Sequence, residues 1–357
     1  MSAEILDVIL DNVNHRAGDT VTGKVILKVE GGSLTSKGIS LNLKGDAVVQ
    51  IVEQVQTTLT RTSGQWHGSL YHSRSKSRTE REYYTRVYTD SETCLALSTF
   101  LVGDGQHDLI LEEGDYSYPF TFQLPSGLLS VFRRCRARVS YRLELRLQQA
   151  GGKEDLLVKK HIGVRADLDL STIPEASQVG EKTRTKIFAL SCLSCFGSFC
   201  YKGRNITVRL RTSRQGFLPG ERIPFEMEFK NLSGRRIRGL TAELIEVITL
   251  RAQGRTSKHT VVLPGGIQRG QPEFSGKEKE DVWKAEVVVP SEGIVFPTKL
   301  GGGSKIIDLD YFLKVRIDVK GCCDRKVEVV SQIIIGSRRS IQLPIIESLA
   351  SAEPLAV

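Results

Sequence analysis

The sequence predicts an all-β chain made of two antiparallel β-sandwiches of immunoglobulin-like type in tandem. Three observations carry that prediction. First, short runs rich in Val, Ile, Leu, Phe and Tyr recur between Gly, Pro, Ser and Asp. Examples are VTGKVILKVE (21–30), ISLNLKG (39–45), YSYPFTFQL (116–124), NITVRLRT (205–212) and RIPFEMEFKN (222–231). Each alternates apolar and polar residues with period two, as a strand with one face in a core must. Second, about eighteen such runs are present, and no amphipathic stretch exceeds two or three helical turns. Third, the two halves of the chain repeat one another.

The repeat sets the domain order. AGDTVTGKVIL (17–27) lies on PGERIPFEMEF (219–229), and Lys37-Gly38-Ile39 on Arg238-Gly239-Leu240, at offsets of 202 and 201 residues. Further on, LPS (124–126) pairs with VPS (289–291), and VSYRLEL (139–145) with LDYFLKV (309–315), at offsets of 165 and 170. The drop in offset places an insertion in the first copy between about 50 and 115. Within it TRTSGQWHGSLYHSRSKSRTERE (60–82) is poor in aliphatics and reads as a mobile surface loop or hairpin tip. The expected layout is a first sandwich at 1–168 with an inserted loop at about 58–82, a linker at 169–181, a second sandwich at 182–343, and a short frayed tail at 344–357.

Composition excludes several classes. The chain has 357 residues, 25% charged and 40% hydrophobic, which is globular and not disordered. MSAEILDVIL has no basic n-region before a long apolar core, and no window approaches eighteen uninterrupted apolar residues. Seven clustered cysteines suit a reduced, cytosolic compartment. Lys plus Arg is 50 against 41 for Asp plus Glu, a formal +9, which favours negatively charged partners. The excess is uneven: residues 1–175 hold 21 basic and 22 acidic groups, residues 176–357 hold 29 and 19.

The two copies resemble the arrestin fold, in its arrestin-domain-containing (α-arrestin) branch. The resemblance rests on RAGDTVTGKVILKV (16–29), EEGDYSYPFTFQLPSGLLSVF (112–132), RVSYRLELRL (138–147), RQGFLPGERIPFEMEFKNLSGRRIRGLTAELIEV (214–247), VVVPSEGIVFP (287–297) and LDYFLKVRIDV (309–319), in that order. It implies two arrestin-like β-sandwich domains and a non-enzymatic adaptor that binds cytosolic tails of membrane-protein cargo and directs endocytosis or endosomal sorting. It further implies a cytoplasmic protein held peripherally at the plasma membrane or endosomes, working with sorting or ubiquitin machinery. The sequence departs from many relatives in having no Pro-Pro pair, so it offers no Pro-Pro-x-Tyr motif for direct WW-domain binding. The buried acid–Arg core of the visual and β-arrestins finds no matching positions. A structural subunit of an arrestin-fold sorting complex and a peripheral module for anionic lipid are the alternative functions.

Candidate binding residues fall in two basic regions. Around 134–147, Arg134, Arg136, Arg138, Arg142 and Arg146 share one parity, so a continuous strand would align five guanidinium groups on one face. Arg suits phosphate and carboxylate through its planar donor fork, so this row is a candidate anionic-peptide or phosphate site. The same row also reads as a solvated face paired with acids on neighbouring strands. The second region, 182–269, has 17 Lys and Arg against 5 acids. Its Arg184, Lys186, Arg204, Arg209, Arg211, Arg235, Arg236 and Arg238 form a candidate patch for membrane or an acidic partner, the last three at a hairpin end after the NLSG turn. Ile206, Val208 and Leu210 should point inward and leave Arg209 and Arg211 outside. An uncommitted basic surface is the alternative, and no helix-turn-helix, zinc-finger, RNP or KH pattern supports nucleic acid.

The remaining features carry less chemistry. Cys192, Cys195 and Cys200 with Cys322 and Cys323 read as buried thiols, as structural zinc ligands if the downstream pair folds back, or as acylation sites. Ser73, Ser75, Ser77 and Thr79 sit among Arg and Lys in the expected loop, where phosphorylation would reverse the local charge. Asp308 and Asp310 flank a strand and are expected to cap or pair, and GGGSK (301–305) reads as a flexible loop. There is no Gly-x-Ser-x-Gly elbow, Walker loop or His-Glu-x-x-His, so neither an enzyme nor a cofactor is expected.

Overall fold

The computed structural model describes residues 3–63, 76–188, 205–270, 279–320 and 326–340. These are almost entirely β, and the helical elements among them are single turns. The chain divides into two compact units. One comprises Met1–Asp167, Glu246–Val261 and Lys299–Asp310; the other comprises Leu168–Ile245, Val262–Thr298 and Tyr311–Val357.

The first ten strands are β1 (Ala3–Leu10), β2 (Asn14–Arg16), β3 (Thr20–Glu30), β4 (Leu34–Ser63), β5 (Lys76–Gly103), β6 (Leu109–Leu111), β7 (Gly114–Gln123), β8 (Phe132–Arg134), β9 (Ala137–Gln149) and β10 (Leu156–Arg165). They make two sheets. One has order β1-β3-β7; the other has order β2-β10-β9-β4-β5, with β6 on β4 and β8 on β9. Period-two patterning builds the core between them: Val21, Val25, Leu27 and Val29 of β3, Leu41, Leu43, Ala47 and Val49 of β4, and Val139, Tyr141, Leu143 and Leu145 of β9 are all buried. Gly45 marks the β4 bulge, where a Cβ would lie 2.4 Å from the Tyr141 ring.

Of the two expected readings of 60–82, a loop or a hairpin tip, the pairing follows the hairpin. β4 and β5 stay paired out to Ser63 opposite Lys76, so strand replaces much of the loop expected at 58–82, and 64–75 lies outside the described residues. The run Thr57, Thr58, Leu59, Thr60 is rich in β-branched residues, which suit a strand even where aliphatics are scarce.

The segment after β10 holds a 3-10 turn (Leu170–Thr172) and one α-turn, α1 (Pro174–Ser177). Next come β11 (Gly180–Ile187), β12 (Asn205–Thr212), β13 (Gly216–Phe217), β14 (Arg222–Asn231), β15 (Ile237–Ala252), β16 (Arg255–Gly270), β17 (Lys279–Val288), β18 (Ile307–Val319) and β19 (Lys326–Ile335). They form a sheet of order β11-β12-β14-β17 and a sheet of order β13-β19-β18-β15-β16. Strict alternation along β12, β14 and β18 buries Ile206, Val208, Leu210, Ile223, Met227, Leu309, Tyr311, Leu313 and Val315.

The glycine run also departs from the expected flexible loop. Leu300 is fully buried, and a Cβ on Gly301 would sit 2.1 Å from the Ala166 Cβ. Beside it the Ser304 hydroxyl donates to Glu92 Oε2 at 2.6 Å. Small residues are needed here for close packing, so the run is held, not loose.

Candidate functional site

The five-arginine row does not lie on one strand. Cys135 and Arg136 have φ of 49° and 65°, which makes a two-residue turn between β8 and β9. Positive φ at both central positions ordinarily calls for Asn or Gly, so this turn is strained by its own side chains. Its register reverses the parity on the β8 side. Phe132 opposes Val139 and Arg134 opposes Ala137, all on the core-facing side, whereas Arg133 opposes Arg138 on the outer face.

That reversal separates the arginines into groups. Arg134 turns inward, and its Nη1 donates to Oε1 and Oε2 of the fully buried Glu246 at 2.5 and 2.7 Å. Arg133, Arg136 and Arg138 are exposed, and among the described residues they form no ion pair. On β9, Arg142 donates to Asp46 Oδ2 at 2.7 Å and to Glu144 Oε1 at 2.8 Å, and Lys44 donates to Glu144 Oε2 at 2.7 Å. Hydrogen bonds from Arg142 and then Lys44 hold the Glu144 carboxyl down at about 2. Arg146 lies 3.6 Å from Asp155. The expected uniform row is therefore corrected to a trio of unpaired arginines at the turn, an inward Arg134, and a paired Arg142 and Arg146.

The thiols nearby are free and subdued. Burial pushes the Cys94 thiol up to about 11, and burial together with Glu246 raises that of Cys135. Neither is a thiolate at neutral pH, which argues against a reactive nucleophile.

The second basic region is also rearranged by register. Arg209 and Arg211 do face outward from β12, as alternation requires. Yet Arg209 contacts Glu181 at 2.7 Å and Glu228 at 3.6 Å, and Arg211 lies 3.5 Å from Glu181. Row by row the face reads Glu181–Arg211–Glu226–Lys284, Thr183–Arg209–Glu228–Val282 and Thr185–Thr207–Lys230–Glu280. An open groove of about 770 Å³ on this face is lined by both signs, with Lys230 paired to Glu280. The premise of an unneutralised basic face fails for Arg209 and Arg211.

Arg184 lies on β11 opposite Val208, sharing a parity with Lys182 and Lys186. Inward-parity cations on an edge strand discourage pairing with another strand. Lys186 and Arg235 both stack on Phe188, at 5.8 and 5.0 Å from the ring centroid. Arg236 and Arg238 are exposed. The NLSG turn joins β14 to β15, which belong to different sheets, so these arginines mark a sheet-to-sheet crossing and not a hairpin end. Asp308 accepts from Arg251 at 2.8 Å, pairing as expected.

Several expected residues lie outside the described residues: Arg204, Ser73, Ser75, and the five cysteines Cys192, Cys195, Cys200, Cys322 and Cys323. Ser77 and Thr79 fall on β5, opposite Thr62 and Thr60. Among the described residues no group of three or more His, Cys, Asp or Glu is placed to hold a metal ion, and no helix is long and apolar enough to cross a membrane. Sequence reasoning missed Arg133 and Glu246; only recognition of the turn at Cys135–Arg136 would have found the first.

Comparison with known proteins gives the same domain order. The family model described as Arrestin (or S-antigen), N-terminal domain, matches residues 6–171, and that of the C-terminal domain matches residues 202–340. The chain is 23% identical over 336 residues to arrestin domain-containing protein 17 of Caenorhabditis elegans, covering 91% of this chain and 71% of the relative. It is 27% identical over 258 residues to thioredoxin-interacting protein of Sus scrofa, covering 72% and 61%. It is 27% identical over 237 residues to human arrestin domain-containing protein 4, covering 65% and 51%. The chain thus spans only part of each relative's length.

Proposed function

Because the chain belongs to the arrestin family and carries both of its domains in tandem, we propose that it is a non-enzymatic trafficking adaptor. In this reading it binds cytosolic tails of membrane-protein cargo and promotes their endocytosis or endosomal sorting, from the cytoplasmic side of the plasma membrane or endosome. The single observation that carries the proposal is the ordered match of both family domains over most of the chain. The β8–β9 hairpin supports it. Arg133, Arg136 and Arg138 present donor forks not occupied by carboxylates of the described residues, which suits an acidic or phosphorylated tail.

Proximity labelling in cells tests this reading, comparing wild type with the Arg133→Glu, Arg138→Glu double variant. Wild type should recover membrane proteins and sorting machinery, and the variant should lose the cargo fraction. Recovery of neither class with wild type overturns the adaptor reading. A single stoichiometric partner would instead favour a sorting-complex subunit, and liposome binding without cargo would favour an anionic-lipid module.

A further inference from the structure

Directly after β19 the chain returns to the segment that precedes β11 and is clipped to it. Ser337 N donates to Leu168 O at 2.9 Å, Leu170 N donates to Arg338 O at 3.0 Å, and Asp169 and Arg338 form a parallel bridge. Leu168 N donates to Ser337 Oγ at 2.7 Å. Leu170, so held, packs on Ala176 and Ile334, with Ile173 and Leu218 against them.

The centre of the clip is the Asp169 carboxylate. Its Oδ1 accepts from Ser171 N at 2.9 Å, from Ser171 Oγ at 2.7 Å and from Ser340 N at 3.2 Å. Its Oδ2 accepts from the Ser340 hydroxyl, with Arg338 Nε at 3.7 Å. Asp169 is 7% exposed, while Ser340 is exposed and directly follows Arg338 and Arg339. Arg339 in turn contacts Glu221 at 3.1 Å and donates to Gly216 O at 3.2 Å. The hydroxyl of an exposed serine therefore donates into a nearly buried carboxylate that caps the 3-10 turn.

We propose that Ser340 is a phosphoacceptor and that its phosphorylation opens this clip. The acceptor chemistry fits a protein kinase that reads basic residues immediately before the serine, using a nucleoside triphosphate as donor. The Ser340 Oγ–phosphorus bond forms, the bond from the γ-phosphorus to its bridging oxygen breaks, the nucleoside diphosphate leaves, and the hydroxyl proton is released. The product replaces a donated hydrogen bond by a group of about −1.5 to −2 charge beside a carboxylate. Repulsion then takes the place of attraction at Asp169, and the same phosphate competes for the guanidinium groups of Arg338 and Arg339. The inference concerns regulation of the chain itself and does not depend on the adaptor reading.

The test uses the full chain, a kinase selective for basic residues before serine, and a nucleoside triphosphate. Mass spectrometry maps the phosphate, and hydrogen exchange follows the amides of 168–173. Modification of Ser340 in wild type, absent in Ser340→Ala, with exchange at Leu170 and Ser171 faster by about tenfold, is the expected result. Protection in β12 and β14 should not change. Failure to modify Ser340 while other serines react overturns the proposal, as does a phosphorylated Ser340 with unchanged protection at 168–173. Ser340→Asp supplies a second reading of the charge effect and should accelerate the same amides more than Ser340→Ala does.

Discussion

Arg133 and Arg138 are direct cross-strand partners on the exposed side of the β8–β9 hairpin, two like charges held opposite each other by a turn that neither glycine nor asparagine relieves. Such a pair costs roughly 0.2–1 kcal/mol against a neutral pair. Arg138→Glu should therefore raise stability at low ionic strength by about 0.5 kcal/mol. The gain should fade near 1 M salt, where screening acts over about 3 Å. Chemical denaturation at both ionic strengths reads the difference, and a destabilised Arg138→Glu at low salt would show that no repulsion is stored there. The same substitution should weaken binding of an acidic tail, so stability and binding move in opposite directions.

Arg134 takes the opposite course from its neighbour. Its guanidinium meets both oxygens of Glu246, whose side chain is 0% exposed. Removing one partner of a buried pair typically costs about 3–5 kcal/mol, whereas replacing both by well-packed apolar groups costs far less. Arg134→Met and Glu246→Met should each destabilise by about 3 kcal/mol, and the double variant by less than the sum. A double-mutant cycle by urea denaturation measures the coupling. Simple additivity would mean that the two groups stabilise the unit independently.

The contrast between these neighbours shows how far the sequence is legible. Along β9, alternation names the apolar core-facing set correctly, because Ala137, Val139, Tyr141, Leu143, Leu145 and Leu147 are all buried. Nothing in Phe-Arg-Arg-Cys-Arg-Ala carries turn chemistry, so parity reads straight through Cys135 and Arg136 and assigns Arg134 and Arg133 to the wrong faces. The basic patch failed for a different reason. A window of net charge sees neighbours in sequence, but Arg209 and Arg211 are neutralised across strands by Glu181 and Glu228. Glu181 lies one residue before the window that counts the excess, and the register that brings it opposite Arg211 is a tertiary fact.

Glu144 gives the fold an acid-sensitive joint on the β4–β9 face. Its carboxyl is held at about 2 in the folded chain, against an ordinary value of 4.5, by Arg142 and Lys44. A lowered folded value means that the unfolded chain binds the proton more readily. The stabilisation is therefore complete above pH 4.5 and is lost as pH falls from there through about 2. Glu144→Gln should be less stable than wild type at neutral pH and should flatten the stability profile across that window. Equal slopes for the two proteins between these limits would show that Glu144 does not carry the acid dependence. Denaturant midpoints taken at half-unit pH intervals resolve the two outcomes.

Two glycines of the 301–305 run separate steric demand from backbone demand. Both have positive φ, 87° at Gly301 and 74° at Gly303. A side chain is therefore disfavoured at each, by roughly 1 kcal/mol for an alanine forced into this region. Only Gly301 is also crowded, since its Cβ would stand 2.1 Å from that of Ala166, whereas nothing lies within 4 Å of a Cβ on Gly303. Overpacking adds about 1–3 kcal/mol. Gly301→Ala should thus lose about 2–4 kcal/mol and Gly303→Ala only about 1 kcal/mol. Thermal and urea denaturation of the two variants measures the gap. Equal losses would mean that backbone conformation alone dictates glycine here, and that the contact with Ala166 relaxes at little cost.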